Sequence, residues 1–79
     1  MDRKMYEHEM RKARTMEQQE RNRKEYWEGY KRGLRRSFFG KGFGTAQEHD
    51  LYMNLVDDPD HKKGERGRGY RDGYKQGDA

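Results

Sequence analysis

Residues 28–33 read EGYKRG, and a nearly identical segment, DGYKQG, returns as residues 72–77. The glycines in these segments lie four residues apart, so on a helix they form a smooth strip beside a strip of tyrosines. Small residues at this spacing let two helices approach closely, and neighbouring aromatic rings fill the remaining gaps. We therefore expect the two segments to pack against each other as helices. The residues predicted to form this contact are Tyr26, Trp27, Gly29, Tyr30, Gly33, Gly69, Tyr70, Gly73 and Tyr74.

Two further patterns predict helices earlier in the chain. Residues 2–37 contain no Pro, no Gly before Gly29 and many strong helix formers, which predicts one long helix. A short middle helix is predicted at residues 46–56, because Thr45 and Glu48 form a Thr-x-x-Glu capping box before it. The chain has no Ile and one Val, so a sheet with β-branched faces is disfavoured.

The C-terminal segment is more ambiguous. Asp58 before Pro59 is a helix start signal, with Asp as N-cap and Pro at the first helical position. The glycines that follow lower the helix propensity, so the alternative is that residues 61–79 form a disordered Arg/Gly-rich tail. The sequence predicts an all-α fold, in which a long N-terminal helix, a short middle helix and a Gly-rich C-terminal helix pack as a small helical hairpin-like domain.

The apolar residues are unevenly distributed. Only 28% of the chain is hydrophobic and 43% is charged, and residues 18–25 have no apolar side chain. We therefore predict that residues 1–25 form a charged, solvent-exposed helix extension. The alternative is that a partner covers it. Residues 26–79 are then the small helical core domain.

Several chemistries are disfavoured by composition. The absence of Cys excludes a disulfide framework and a thiolate metal site. None of the three His residues has a His partner at the helical spacing that places two metal ligands on one face. A chain with so little apolar mass cannot easily build the water-poor pocket that catalysis needs. The sequence predicts no enzyme, no catalytic residues, no cofactor and no metal.

Charge alternates along the chain. Residues 1–36 carry twelve Lys/Arg against seven Asp/Glu, residues 45–60 carry five acids and no Lys/Arg, and residues 61–77 carry six bases against two acids. Basic residues interleaved with aromatic rings suit a surface that neutralises phosphates and presents rings or guanidinium planes to unpaired bases. The alternative is that these charges only keep a glycine-rich helix soluble. The residues predicted to bind RNA or another partner are Arg32, Arg35, Arg36, Lys41, Lys62, Lys63, Arg66, Arg68 and Arg71.

Two glycine-aromatic motifs carry a family resemblance. The segments GYKRG (residues 29–33) and GYRDG (residues 69–73) resemble those of the bacterial ribosome modulation factors and their small relatives, over residues 26–77. This resemblance implies a small, basic, helical protein that binds ribosomal RNA and protein on the small subunit and promotes inactive ribosome dimers. The chain departs from the family in its longer, acidic connecting segment, its missing Pro-Tyr after the first helix and its extended N-terminal helix. These departures bear on ribosome dimerisation more than on the helix packing.

The sequence thus predicts a small basic RNA- or ribosome-binding regulatory protein of the cytoplasm, a translation-silencing factor on the small ribosomal subunit. The alternative is a small regulatory or viral protein-interaction factor that docks on a host protein through its N-terminal helix and the aromatic loop at residues 37–45. No membrane partner is expected, because no stretch of about 18 apolar residues occurs. The oligomeric state is left open.

Overall fold

The computed structural model describes residues 1–78, and the fold is built from helices throughout. The four α-helices of this part of the chain are α1 (Arg3–Gln19), α2 (Lys24–Phe39), α3 (Ala46–Asn54) and α4 (His61–Asp78). Short 3₁₀ turns at Arg21–Arg23, Gly40–Gly42 and Leu55–Asp57 lie between them. No strand occurs within residues 1–78, so the predicted all-α fold is confirmed. Ala79, the last residue of the predicted core domain, lies outside the described residues.

The glycines of α2 and α4 bring the two helix backbones into direct contact. A Cβ atom at Gly29 would collide with the carbonyl oxygen of Arg66, and one at Gly33 would collide with that of Tyr70. Since Gly33 and Tyr70 both lie one turn further along their helices, α2 and α4 run parallel. Only the hydrogen of glycine fits between the backbones at this separation.

The contact is reciprocal. A Cβ atom at Gly69 would collide with the carbonyl oxygen of Tyr26, and one at Gly73 with that of Tyr30. Adding forty to the number of an α2 residue in this contact gives the α4 residue with the same role, so that Gly69 corresponds to Gly29 and Gly73 to Gly33. The pair therefore has an approximate two-fold axis along the helices, and each glycine directs a Cα hydrogen at a carbonyl oxygen of the facing helix.

The two glycine-bearing helices, α2 and α4, do not form the predicted hairpin, because they run parallel. Parallel neighbours cannot be joined by a tight turn, and residues 40–60, which include α3, form the crossover between α2 and α4. The antiparallel pair is α1 with α2, where the ring of Tyr6 stacks on Phe38 at 4.4 Å. At the other end of this pair, Glu17 forms a salt bridge with Lys31 at 3.2 Å.

The prediction of one uninterrupted helix over residues 2–37 is wrong. The chain leaves helical geometry at Glu20, with φ −112° and ψ 68°, and restarts at Lys24. The Glu20 carboxylate accepts a hydrogen bond from the indole Nε1 of Trp27 at 2.8 Å, which fastens the break to α2. The middle of the segment without apolar side chains, residues 20–23, is therefore a turn and not part of a projecting helix.

The prediction that residues 1–25 form an exposed extension is also wrong, because α1 folds back on α2. Met10 and Ala13 of α1 are buried. They pack in one hydrophobic cluster with Trp27, Tyr30 and Leu34 of α2. Sparse apolar residues suffice here, since two small helical faces cover each other.

Capping explains where α3 and α4 begin. The hydroxyl of Thr45 accepts a hydrogen bond from the Glu48 amide at 3.1 Å, which confirms the predicted start of the middle helix. The predicted N-cap of the last helix, Asp58, is corrected by two residues. The Asp60 carboxylate accepts from the Lys63 amide at 2.9 Å, and this bond lowers the pKa of Asp60 below its usual value. The segment at residues 61–78, whose alternative was a disordered tail, is helix α4 in the structure.

Candidate functional site

Three arginines from α2 and α4 converge on one open cleft, which we call the arginine cleft. It has a volume of about 200 Å³ and lies where α2, α3 and α4 meet. Glycine forms part of its lining because the α2–α4 contact runs beneath it. The lining residues are Glu28, Gly29, Arg32, Arg35, Tyr52 and Arg66.

Arg32 is held in a fixed orientation. Its guanidinium carbon lies 5.2 Å from the ring centre of Tyr52 and 5.3 Å from that of Phe43. Its Nη2 atom also forms a 3.2 Å salt bridge with the Glu48 carboxylate. A guanidinium has five N–H donors, so these contacts orient Arg32 and leave donors for a ligand.

The other two cleft arginines are less engaged with the protein. Arg66 Nη2 lies 3.8 Å from Glu28 Oε2, which is beyond hydrogen-bond distance. Arg35 has no hydrogen bond or salt bridge to any residue that the structure describes. Both side chains are only partly buried. Most of their donors therefore remain available to an anion in the cleft.

Aromatic rings form the wall behind the cleft. The rings of Tyr52 and Tyr70 stack at 4.7 Å, and the Tyr70 hydroxyl lies 2.8 Å from Nδ1 of His49. Burial raises the pKa of the Tyr70 phenol to about 12, against the opposing effect of the nearby Arg36 charge. The Tyr70 phenol is neutral at physiological pH, and the stack fixes its ring in place.

These packed rings correct one expectation from the sequence. Tyr52 has Tyr70 stacked on its ring and Arg32 over its ring, and Tyr70 is 2% exposed. Tyr52 and Tyr70 therefore hold the fold together and do not serve as free stacking platforms for bases. Phe39, 52% exposed at the end of α2, is the large aromatic residue that most fully faces solvent among the described residues.

Two of the predicted binding arginines have internal roles instead. Arg36 Nη1 donates to the carbonyl oxygens of Gly40, Phe43 and Gly44 at 3.4, 3.3 and 3.0 Å. Arg68 Nη1 donates to the carbonyl oxygen of Val56 at 3.0 Å. Each of these arginines fastens a connecting segment to a long helix.

The remaining predicted cations lie outside the arginine cleft. Lys41 is exposed in the turn after α2, and Lys62 and Lys63 are exposed in the first turn of α4. The Arg71 guanidinium bonds to the neighbouring Asp72 carboxylate at 3.1 Å. Of the nine predicted cations, the structure brings Arg32, Arg35 and Arg66 together in this cleft.

The predicted packing residues lie at the helix contacts, where the hydroxyl groups of Tyr26 and Tyr30 are also hydrogen-bonded. Tyr26 donates to Asp72 at 2.6 Å and Tyr30 donates to Glu9 at 2.8 Å. Burial, followed by these hydrogen bonds, raises the pKa of both phenols well above the ordinary value. Tyr74 lies beside α3, with its ring 4.7 Å from that of His49.

Sequence reasoning missed Glu28 and Tyr52 of the cleft lining, together with Glu48. A search for cations passes over a lone acid, although Glu28 stands inside a basic segment. Tyr52 lies in the predicted middle helix, within the stretch of the chain that has no Lys or Arg.

A second groove runs along α1. It has a volume of about 290 Å³ and a mixed basic and apolar lining. Phe39 lies next to it, with its ring 5.6 Å from that of Tyr6. The lining residues are Tyr6, Glu7, Met10, Arg11 and Arg14.

Within residues 1–78, no group of three His, Asp or Glu side chains is arranged to hold a metal ion. None of the described helices combines the length and the apolar character needed to cross a membrane. No protein-family model, no curated protein and no solved structure matches this chain.

Proposed function

We propose that this chain is a small basic RNA-binding regulatory protein that contacts RNA phosphates through the arginine cleft. The observation that carries the proposal is the convergence of Arg32, Arg35 and Arg66 from two helices on one open cleft. The small ribosomal subunit is the target that we propose, with silencing of translation in the cytoplasm as the outcome. The chain acts as a binding protein and not as an enzyme.

Guanidinium chemistry supports a phosphate ligand. A planar guanidinium can donate two parallel hydrogen bonds to phosphate oxygens, and such charge-assisted bonds are stronger than neutral ones. Because Arg35 and Arg66 have donors without short bonds to the protein, phosphate binding does not require breaking an internal pair. The net charge of +4 also draws a polyanion toward the protein.

Binding to a short fluorescent single-stranded RNA, followed by anisotropy at increasing salt, tests the proposal. Each neutralised phosphate of a single strand contributes a log-log salt slope of about 0.7. We expect Arg35→Gln to weaken binding and to lower this slope by roughly that amount. The matched control is Arg21→Gln, which removes the same charge from an exposed position outside the cleft.

The result that contradicts the proposal is a slope near zero, or an equal loss in both variants. Sedimentation with purified small ribosomal subunits then tests the target. The wild type should cosediment with the subunits at low salt and dissociate at high salt. Arg35→Gln should dissociate at a lower salt concentration than the wild type. Binding to the short RNA without any binding to subunits would retain the RNA function and reject the ribosomal target.

Protein docking through α1 is a second candidate function, favoured by the groove between Tyr6 and Arg14 and by the exposed ring of Phe39. A host protein is the partner that we propose for it. Affinity capture with and without ribonuclease separates the two functions. If ribonuclease leaves the captured partners in place and Arg11→Glu with Arg14→Glu removes them, protein docking replaces RNA binding.

A further inference from the structure

Glu28 places a carboxylate inside a cleft that is otherwise cationic. Its Oε2 atom lies 3.8 Å from Nη2 of Arg66, and its Oε1 atom lies 3.8 Å from Nζ of Lys24. Both distances exceed a hydrogen bond, so the pairs are electrostatic contacts between partly exposed groups. The carboxylate has no hydrogen bond to any residue that the structure describes. Its acceptor capacity is unused.

A carboxylate at this position opposes a ligand that consists of phosphate alone. Two like charges in one cleft repel each other, and the three arginines would bind a phosphate better without Glu28. The carboxylate becomes favourable when the ligand brings N–H donors as well as acceptors. A nucleobase joined to a phosphate has both, since the phosphate and the base acceptors meet arginine and the base N–H groups meet Glu28.

The bases differ in how many adjacent donors they offer. Guanine has two neighbouring donor groups, N1–H and the N2 amino group, which match the two oxygens of a carboxylate. Its O6 and N7 atoms are the acceptors that arginine binds in bidentate fashion. Adenine and cytosine offer one amino group each, and uracil flanks its single N–H with two carbonyls that a carboxylate repels.

Recognition by the base edge also fits the shape of the site. The Tyr52 ring is stacked on Tyr70 and has the guanidinium of Arg32 over it, 5.2 Å from the ring centre, so the ring is not free to stack on a base. An edge-on base can reach Glu28, Arg35 and Arg66 without moving that pair. We propose that the arginine cleft selects an unpaired guanine, with Glu28 as the residue that determines specificity. This inference rests on the proposed RNA binding.

The test uses the full chain and oligouridine RNAs that carry guanosine, inosine or adenosine at the same central positions. Inosine lacks the N2 amino group and so removes one of the two donors. We expect the wild type to bind the guanosine RNA at least about fivefold more tightly than the inosine RNA, the scale of one bidentate base contact. Glu28→Gln should lose this preference, and its affinity for plain oligouridine should rise because the carboxylate no longer repels the phosphates.

Glu25→Gln is the matched control, because it removes an equal charge from the first turn of the same helix, outside the cleft. It should keep the guanosine preference, and thermal melting should show that all variants are folded. Equal binding of guanosine, inosine and adenosine RNAs by the wild type overturns the inference and leaves RNA binding intact. Equal effects of the two Glu variants also overturn it. No binding to any of the RNAs at low salt overturns the proposed function itself.

Discussion

The hydrogen atom on Gly33 that faces α4 sets the distance between the two central helices. Its position leaves no room for a methyl group, because a Cβ atom there would collide with the Tyr70 carbonyl oxygen and lie 2.8 Å from the Tyr74 amide nitrogen. The obstructing atoms belong to a helix backbone and cannot rotate away. A side chain at this position can be accommodated only by moving α4 as a unit.

Gly33→Ala should therefore destabilise the protein by about 1 to 3 kcal/mol, the usual cost of overpacking a tight contact. On an open helix the same change would stabilise by up to about 1 kcal/mol, so the sign of the effect is decisive. Thermal or urea unfolding measures it. Gly42→Ala is the control, because a Cβ atom there meets nothing within 4 Å. A melting temperature raised by Gly33→Ala would reject the close contact.

The buried phenol of Tyr70 makes stability depend on alkaline pH. Its pKa rises from an ordinary value of 10.0 to about 12 in the fold, chiefly through burial. A raised folded pKa means that the neutral phenol contributes stability below pH 10, and that this contribution is lost as pH rises from 10 toward 12. Melting temperatures at about pH 8 and about pH 11 should show a smaller decline for Tyr70→Phe than for the wild type. Equal declines would contradict the assignment.

Arg35 and Arg36 are neighbours on α2, but we assign them different roles, one in ligand binding and the other in stability. Arg36 bonds three carbonyl oxygens of the segment that follows α2, whereas Arg35 lines the arginine cleft. Arg36→Gln should lower the free energy of unfolding by on the order of 1 kcal/mol through those lost bonds. Arg35→Gln should leave stability within about 0.5 kcal/mol of the wild type and weaken RNA binding. Urea unfolding and RNA anisotropy on both variants check the pair, and an exchange of the two effects would refute both assignments.

The elements that sequence could predict are those set by local signals. The capping box at Thr45 and the helix after it depend on residues within one turn of each other. The break at Glu20 could not be predicted in this way, because the residues around it are good helix formers. The break is stabilised by a bond to Trp27 in the next helix and by the packing of α1, which are both non-local.

The same distinction between local and non-local signals applies to the candidate site. Glycine spacing indicated which faces of α2 and α4 meet, but not that the helices run parallel. Nothing in the local sequence distinguishes Arg35 from Arg36, or Arg66 from Arg68. Their assignments depend on where the carbonyl oxygens of distant connecting segments lie, such as the Val56 oxygen bonded by Arg68.

At the scale of the whole molecule, the acidic crossover and the basic helices complement each other. Glu48 on α3 pairs with Arg32 on α2, so part of the acidic segment neutralises the rim of the arginine cleft. The cleft keeps a net positive charge because Arg35 and Arg66 have no comparable short partner. The crossover thus positions the wall residue Tyr52 while it moderates the charge of the site that it borders.

The parallel pairing of α2 and α4 has a consequence for how fast the chain folds. The α1–α2 hairpin closes a short loop, whereas the glycine contact joins residues about forty positions apart, and loop closure costs more entropy as the separation grows. The hairpin should form first and α4 should dock last. Gly33→Ala should then accelerate unfolding and leave the refolding rate almost unchanged, since docking follows the rate-limiting barrier. Stopped-flow fluorescence of Trp27 measures both rates, and slower refolding would place α4 in the folding nucleus. Until α4 docks, a chain in which the α1–α2 hairpin has already formed therefore exposes the glycine face of α2.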